Sequence, residues 1–227
     1  SLLAVSLVFI WTNNINQIRA EIYYMRALES IKLSDCRGVI NNITKTVDLS
    51  PNTNYYQEQY LFLLLNCFPA VDKTSQMKLS EDLLSRIELV GDKEFYGTRS
   101  NLARAYTLFG FYLDKTYYDK ADKIFKDLIK DFPYLTTAYE DFGKQKMKQE
   151  DYLGVIDIYG RALEILPSTD NPYLNAPHRA KIASIGARLY EGLGQAYFKT
   201  KDYGSALEYY KKGLKLDPYR ATLYKSL

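Results

Sequence analysis

The chain has few of the residues on which catalysis usually depends. It contains one histidine, His178, and two cysteines among 227 residues. It has no phosphate-binding glycine loop, no Cys-x-x-Cys pair and no Gly-x-Ser-x-Gly sequence. Adjacent carboxylates such as Glu140 and Asp141 do not face each other on a helix. We therefore expect a protein that is not an enzyme and that uses no cofactor or metal.

An excess of one charge is also absent. The chain has 30 basic and 27 acidic residues, well interspersed, for a net charge of +3. A nucleic-acid-binding protein usually carries a basic stripe, so we expect no nucleic-acid partner. Cys36 and Cys67 each lie in an apolar helical stretch. We interpret both as small core residues, with a disulfide as the less favoured alternative, and they do not fix the compartment.

What the chain does have is a period. A tyrosine recurs at intervals of 33, 51 and 34 residues, at Tyr106, Tyr139, Tyr190 and Tyr224. A proline recurs at intervals of 34 and 51 residues, at Pro133, Pro167 and Pro218. The longer interval exceeds the shorter one by about half a unit, so one repeat carries an insertion. A fixed period of this length is typical of a helical solenoid.

Three of these units resemble the tetratricopeptide repeat (TPR). Their first helices carry a glycine four residues after the tyrosine, at Gly110, Gly143 and Gly194. Their second helices carry a small residue and then an aromatic one, at Ala121 and Phe125, Val155 and Tyr159, and Ala206 and Tyr210. The resemblance implies an all-α fold of about five helical hairpins and part of a sixth, stacked in a right-handed superhelix.

Each repeated residue has a physical reason. Glycine inside a helix costs about 1 kcal/mol relative to alanine, so its return at one register predicts a close approach of two helices. Asp151, Asp202 and Asp119 lie where a second helix should begin, and Asp is a favourable N-cap. Lys146 occupies a first-helix position that is usually apolar, so we expect that helix to pack less well.

The remaining chain is less regular. Residues 13–90 are predicted to form two divergent hairpins, with unrelated helices as the alternative, and residues 91–227 the three TPR units and the start of another. The insertion at 168–186 begins with a proline-bounded loop and continues into an apolar-periodic run. We expect a projecting loop there, followed by a first helix of about 20 residues.

Residues 1–12 form an apolar segment, in which only Ser6 interrupts the run from Leu2 to Trp11. About 20 apolar residues are needed to cross a bilayer, so we interpret this segment as the end of a transmembrane helix. The alternative is a hydrophobic helix that caps the solenoid. The first interpretation predicts a membrane-associated protein whose repeat region lies outside the bilayer, with the extracytoplasmic side favoured.

The same end carries a second, looser resemblance. Phe9-Ile10-Trp11, followed by Arg19–Tyr24 and Arg26-Ala27-Leu28, is similar to the junction between the last membrane helix and the TPR units of bacterial O-antigen ligase and polymerase-like proteins. This resemblance implies a bacterial protein of cell-surface polysaccharide metabolism. The glycosyl-transfer chemistry would then belong to a membrane part outside this sequence.

The leading functional hypothesis is a protein-interaction scaffold that binds a peptide or helix in the concave TPR groove. In the family, fixed first-helix positions line that groove. The resemblance assigns them to Arg104, Thr107, Leu108, Phe111, Lys115, Glu140, Asp141, Lys144, Met147, Arg188, Glu191, Gln195, Phe198 and Lys199. Two alternatives remain open: the TPR portion of an O-antigen ligase-like glycosyltransferase, and a structural solenoid that self-associates end to end.

Overall fold

The computed structural model describes residues 2–89, 96–220 and 222 of the chain. Within these residues it has ten α-helices, one short 3-10 helix and no strand, which confirms the predicted all-α class. The chain divides into two compact units, Ser1–Tyr117 and Tyr118–Leu227. Tyr224 and Leu227, the expected start of a sixth hairpin, lie outside the described residues.

Unit 1 contains the two upstream hairpins and one further helix. Its elements are α1 (Leu2–Lys32), α2 (Cys36–Leu49), α3 (Asn54–Cys67), a 3-10 turn (Phe68–Ala70), α4 (Lys73–Leu89) and α5 (Tyr96–Tyr112). Helix α2 packs between α1 and α3, and α5 packs on both α3 and α4. The core is filled by apolar side chains such as Ile43, Tyr60, Leu64, Phe68 and Phe109.

Cys36 and Cys67 form a disulfide, so the interpretation of both as reduced core residues was wrong. Cys36 is the first residue of α2 and Cys67 is the last residue of α3. Stacking of the two hairpins brings these helix ends together, with the Cα atoms 5.3 Å apart. That separation is in the range that a disulfide requires. The cross-link joins the first hairpin to the second.

Unit 2 contains the helices that match the TPR pattern best. They are α6 (Tyr117–Asp131), α7 (Thr136–Lys148), α8 (Tyr152–Ile165), α9 (Ala176–Lys199) and α10 (Tyr203–Leu216). Helices α7 and α8 form one hairpin, α9 and α10 form the next, and α8 packs on α9. Helix α9 is 24 residues long and follows a loop at 168–175, as predicted for the insertion.

The turn inside three hairpins is built in the same way. A residue with a positive φ angle precedes the second helix, and these residues are Ser34 (56°), Glu150 (61°) and Lys201 (67°). An aspartate follows and accepts a hydrogen bond from a backbone N–H of the new helix, at Asp35, Asp151 and Asp202. Asp119 was wrongly expected to be such a cap, because α6 begins at Tyr117 and Asp119 lies in its first turn.

The repeated glycines mark close contacts between helices, as predicted. A Cβ atom on Gly143 would overlap the Tyr159 ring, and one on Gly194 would overlap the Tyr210 ring. Each ring belongs to the second helix of the same hairpin. The glycine therefore leaves space for the aromatic residue that the repeat places opposite it.

Lys146 does not loosen its helix in the way that we expected. Its Nζ atom lies 2.6 Å from an Asp122 oxygen and 3.2 Å from an Asp151 oxygen, and its side chain is largely buried. Gln145 and Gln149 donate further hydrogen bonds to the same Asp122 carboxylate. A polar network on Asp122 thus replaces the apolar contact that the family uses at this position.

The N-terminal apolar segment is the first part of α1, which runs without a break from Leu2 to Lys32. The side chains of residues 2–13 lie outside the description. Among the residues that the structure describes, no helix is both long enough and apolar enough to cross a membrane. Attachment to a membrane through residues 1–12 remains a prediction.

Candidate partner-binding site

The first helices of the two hairpins in unit 2, α7 and α9, lie side by side over α8. Tyr159 of α8 holds them in place, because its ring fills the spaces left by Gly143 on α7 and Gly192 on α9. Its hydroxyl donates a hydrogen bond to the Glu140 carbonyl oxygen at 3.2 Å. Burial raises the pKa of the Tyr159 hydroxyl, so it stays protonated and remains a donor. We call the surface formed by α7 and α9 the α7/α9 face.

An ion pair joins the two helices across this face. Arg188 donates from Nε to Glu140 Oε1 at 2.8 Å and from Nη2 to Glu140 Oε2 at 3.0 Å. Lys144 Nζ lies 2.9 Å from the same carboxylate and 3.4 Å from an Asp141 oxygen. The Arg188 guanidinium also donates to the Ser184 hydroxyl at 3.1 Å. Four charged residues that the family register selected are therefore in contact here.

The pairing controls the ionisation of Glu140, whose side chain is only 9% exposed. Burial by itself disfavours the charged carboxylate, but the hydrogen bonds from Arg188 and Lys144 outweigh it and lower the Glu140 pKa. In return, the hydrogen bond with Glu140 raises the pKa of Arg188. Both residues remain charged and paired at neutral pH. Glu140 is thus a support of the face, too buried to be a contact for a partner.

Glu191 is also occupied within the protein. Arg220, which follows α10, donates from Nε to Glu191 Oε2 at 2.6 Å. The Glu191 side chain is mostly buried. Its carboxylate therefore attaches the chain after α10 to α9, and it offers little surface to a partner.

The exposed members of the predicted set in unit 2 lie toward the C-terminal ends of the two helices. Gln195, Phe198 and Lys199 are exposed on α9, and Lys144 is exposed on α7 beside the half-buried Met147. Phe198 is 51% exposed, and one edge of its ring contacts Tyr203 at a centroid distance of 5.3 Å. The accessible part of the α7/α9 face therefore combines apolar rings and chains with two lysines.

Five predicted site residues belong to unit 1, and the structure gives them different environments. Thr107 is buried and donates to the Ala103 carbonyl oxygen, while Leu108 packs on the core. Arg104 lies 3.5 Å from the Asn101 side chain. These three residues stabilise α5 and its packing, and they offer little surface to a partner.

The other two are exposed. Phe111 is 52% exposed and packs against Tyr112 with the ring centroids 4.9 Å apart. Lys115 was expected on the first helix, but α5 ends at Tyr112 and Lys115 lies in the turn before α6. The Asp114 side chain shapes this turn by accepting the Thr116 N–H at 2.9 Å. Helix α5 ends six residues after Tyr106, whereas α7 and α9 each end nine residues after their repeat tyrosine, which explains the error.

Sequence reasoning missed an aromatic cluster on α1 and α3 of unit 1. The rings of Tyr24, Tyr55 and Tyr56 lie 5.6 to 5.8 Å apart. The Tyr56 hydroxyl donates to Glu21, and burial together with this bond raises the Tyr56 pKa to about 12. The sequence did contain a signal for this cluster. When Tyr23 is aligned with the repeat tyrosines of the later units, Glu21 and Tyr24 fall at positions equivalent to the groove positions chosen there.

No group of three or more His, Cys, Asp or Glu side chains could hold a metal ion in the part of the chain that the structure describes. The α7/α9 face carries charges that are already paired and apolar groups that are exposed. This arrangement can bind another surface. It contains no nucleophile held against a base, which covalent catalysis would need.

Stacked antiparallel hairpins of this kind define an α-helical repeat protein. Residues 187–219 match the family model described as "Tetratricopeptide repeat". Residues 187–219 therefore form a tetratricopeptide repeat, and the chain has the helical-hairpin fold of solved tetratricopeptide-repeat proteins.

One curated relative and two solved structures agree with this identification. "Small glutamine-rich tetratricopeptide repeat-containing protein 2" of Mycosarcoma maydis is 29% identical over 102 residues, which covers 37% of this chain and 29% of that protein. A thermophilic TPR protein of Thermus thermophilus superposes with a TM-score of 0.61 at 13% identity, covering 91% of this chain and 95% of the other. A tetratricopeptide repeat protein of Parabacteroides merdae gives 0.61 at 14% identity, covering 92% and 69%.

Proposed function

We propose that this protein is a non-enzymatic scaffold that binds a peptide or helix of a partner protein on the α7/α9 face. The observation that carries the proposal is the bidentate pair between Arg188 and Glu140. It fixes the two first helices to each other, while Lys144, Gln195 and Phe198 remain exposed on them. A rigid surface loses little entropy on binding, which favours affinity.

The exposed side chains indicate what such a ligand contains. Phe198 and Met147 offer apolar contact area, and aromatic residues are frequent at the centres of protein interfaces. Lys144 and Lys199 flank this area with positive charge. A segment with an apolar side chain at its centre and a carboxylate on either side would complement both features.

A peptide library displayed on phage and selected on the full chain would test the proposal. Selected peptides would be labelled, and their Kd for wild type and for a Phe198→Ala/Lys144→Ala variant would be measured by fluorescence anisotropy. We expect the variant to weaken binding about tenfold or more, since central interface residues contribute most of the affinity.

The matched control replaces an exposed apolar residue and an exposed lysine elsewhere in unit 2, as Leu153→Ala/Lys126→Ala. Its Kd should stay within a factor of about two of the wild type, the scatter expected of changes outside an interface. Failure to select any peptide, or an equal loss of affinity in both variants, would contradict the proposal.

We further propose that the protein works in an oxidising compartment, outside the cytoplasm. The support is the disulfide between Cys36 and Cys67, because such bonds persist in extracytoplasmic spaces and are rare in the cytosol. Cells would be lysed directly in acid to trap the thiols, and the denatured protein would be alkylated with a thiol-reactive polyethylene glycol. A protein that gains mass without prior reduction would show free thiols and would contradict the location.

Membrane attachment through residues 1–12 fits this location, and its support is the apolar sequence of that segment alone. The O-antigen ligase resemblance depends on loose motifs near the N-terminus, and none of the proteins compared above belongs to that class. End-to-end self-association likewise has no specific contact in its favour. These alternatives therefore remain hypotheses beside the scaffold proposal.

A further inference from the structure

The insertion gives α9 a part that the other first helix of unit 2 lacks. Helix α9 begins fourteen residues before its repeat tyrosine, Tyr190, whereas α7 begins three residues before Tyr139. The extra eleven residues add about 16 Å of helix. We call residues 176–186 the α9 extension, and residues 168–175 its loop. Gly186, at the base of the extension, packs against Leu216 and so attaches it to α10.

Hydrogen bonds hold this loop in one conformation. The Tyr173 N–H donates to the Asn171 side chain at 3.0 Å, and the Leu174 N–H donates to the Asn171 carbonyl oxygen at 3.2 Å. Arg179 Nε donates to the Leu174 carbonyl oxygen at 2.9 Å, and the Asn175 side chain caps the helix. The loop therefore presents Tyr173 in a set position next to the extension.

The surface so formed has a small excess of positive charge. The extension contains Arg179 and Lys181 and no Asp or Glu, and its loop contains one carboxylate, Asp170. Arg188 is paired with Glu140, whereas Lys181 forms no ion pair or hydrogen bond with any residue described. Arg179 uses only its Nε atom within the described part of the protein, which leaves the two Nη groups available. Two cations therefore lack a carboxylate among the described residues.

Unit 2 also has three highly exposed tyrosines, one of them in the loop. Tyr173 is 95% exposed in the loop. Tyr134, before α7, and Tyr219, after α10, are 82% and 94% exposed. All three follow a proline and come after the second helix of a hairpin, α6, α8 or α10. The ends of these second helices share one edge of unit 2 because the helices alternate in direction. Tyrosine and arginine are the residues that dominate protein-binding hot spots.

We infer that the α9 extension and its loop bind an acidic segment of a partner protein, at a site separate from the α7/α9 face. Carboxylates of that segment pair with Arg179 and Lys181, and an apolar side chain packs on the Tyr173 ring. A membrane surface suits this edge less well. Lipid-binding clusters usually have four or more basic residues, whereas the extension has two, Arg179 and Lys181.

The test uses the full chain and a labelled peptide of twelve residues, all glutamate except for a leucine at every fourth position. Binding is followed by fluorescence anisotropy. Relative to wild type, we expect Arg179→Gln/Lys181→Gln to raise the Kd about fivefold to tenfold, as the loss of two exposed ion pairs implies. Tyr173→Ala should raise it by a similar factor. Lys181→Gln alone should weaken binding without disturbing the loop, because Lys181 makes none of its hydrogen bonds.

Lys123→Gln/Lys126→Gln is the matched control, since it removes two exposed lysines from α6 in the same unit. The inference is overturned if this control loses as much affinity, if the peptide does not bind, or if Phe198→Ala/Lys144→Ala abolishes binding instead. Tyr173-dependent binding to phosphatidylglycerol vesicles, with no binding of the peptide, would also overturn it in favour of a membrane surface.

Discussion

Arg188 donates two hydrogen bonds to Glu140, of 2.8 and 3.0 Å, and so joins α9 to α7 across 48 residues of sequence. The pair lies on the face that we propose for partner binding, and it is too enclosed to exchange partners freely. Its charges therefore contribute to the stability of unit 2 as well as to the shape of the site. That contribution depends on pH.

The first prediction follows from the lowered pKa of Glu140. A carboxyl whose pKa is lower in the folded state stabilises the fold above its unfolded pKa, and this stabilisation disappears as the pH falls through the folded value. Below about pH 4, the thermal midpoint of the wild type should therefore fall more steeply than that of Glu140→Gln, which has no charge to lose. Circular dichroism at 222 nm, between pH 7 and pH 3, measures both midpoints.

Glu164→Gln provides the control, because Glu164 is an exposed carboxylate on α8 with no ion pair among the residues described. Its midpoint should follow the wild-type curve over the whole range. If Glu140→Gln followed that curve too, the pair with Arg188 would not contribute to the acid sensitivity of the protein.

The repeat period was sufficient to predict the fold, but it did not predict the ion pair or the disulfide that join neighbouring repeats. It placed Gly143 and Gly194 opposite aromatic rings because backbone spacing alone dictates those contacts. The pair between Arg188 and Glu140 joins two repeats, so it depends on which charged residues the inter-repeat packing brings together. The disulfide was missed for the same reason, since 31 residues separate its two cysteines.

The candidate site was likewise predicted only in part from the sequence. The family register selected Lys144 and Phe198, which are exposed, and Glu140, which is buried under Arg188. A register gives the direction in which a side chain points, but its exposure depends on the lengths of neighbouring side chains. Lys115 was misplaced because the register assumes a first helix of full length, and α5 ends three residues before that position.

The second prediction concerns Gly194, whose missing Cβ leaves space for the Tyr210 ring. Gly194→Leu should lower the free energy of unfolding by about 1–3 kcal/mol, because the added side chain has to displace a buried ring. Urea denaturation followed by circular dichroism measures the loss.

Gly160 of α8 is the matched control for this substitution. A Cβ atom there would meet nothing within 4 Å. Gly160→Ala should therefore keep or increase stability, by up to about 1 kcal/mol, through the higher helix propensity of alanine. Loss of stability at Gly160 with none at Gly194 would refute the assigned contacts.

The third prediction concerns the cross-link between Cys36 and Cys67 in unit 1. Closing a loop of 31 residues restricts the unfolded chain, and for this length the effect is about 3–4 kcal/mol. Cys36→Ser/Cys67→Ala should therefore unfold at a clearly lower urea concentration than the oxidised wild type. In the presence of dithiothreitol, the wild type should approach the variant.

A thiol assay under denaturing conditions provides the check on this difference. It should detect no free thiol in the oxidised wild type and two after reduction, because the chain has two cysteines. Two free thiols in protein purified under air, with identical urea transitions for wild type and variant, would show that the bond does not form.

The last prediction concerns Glu150, which adopts a φ angle of 61° in the turn between α7 and α8. This left-handed conformation costs a residue with a side chain about 1–2 kcal/mol, whereas glycine adopts it without strain. Glycine also loses more entropy on folding, so Glu150→Gly should stabilise the protein by a net amount of about 0.5–1 kcal/mol. Glu150→Ala is the control, since it removes the carboxylate but keeps the Cβ atom and the strain. A thermal midpoint that rises for alanine and not for glycine would mean that the charge of Glu150, and not its backbone, limits stability at this turn.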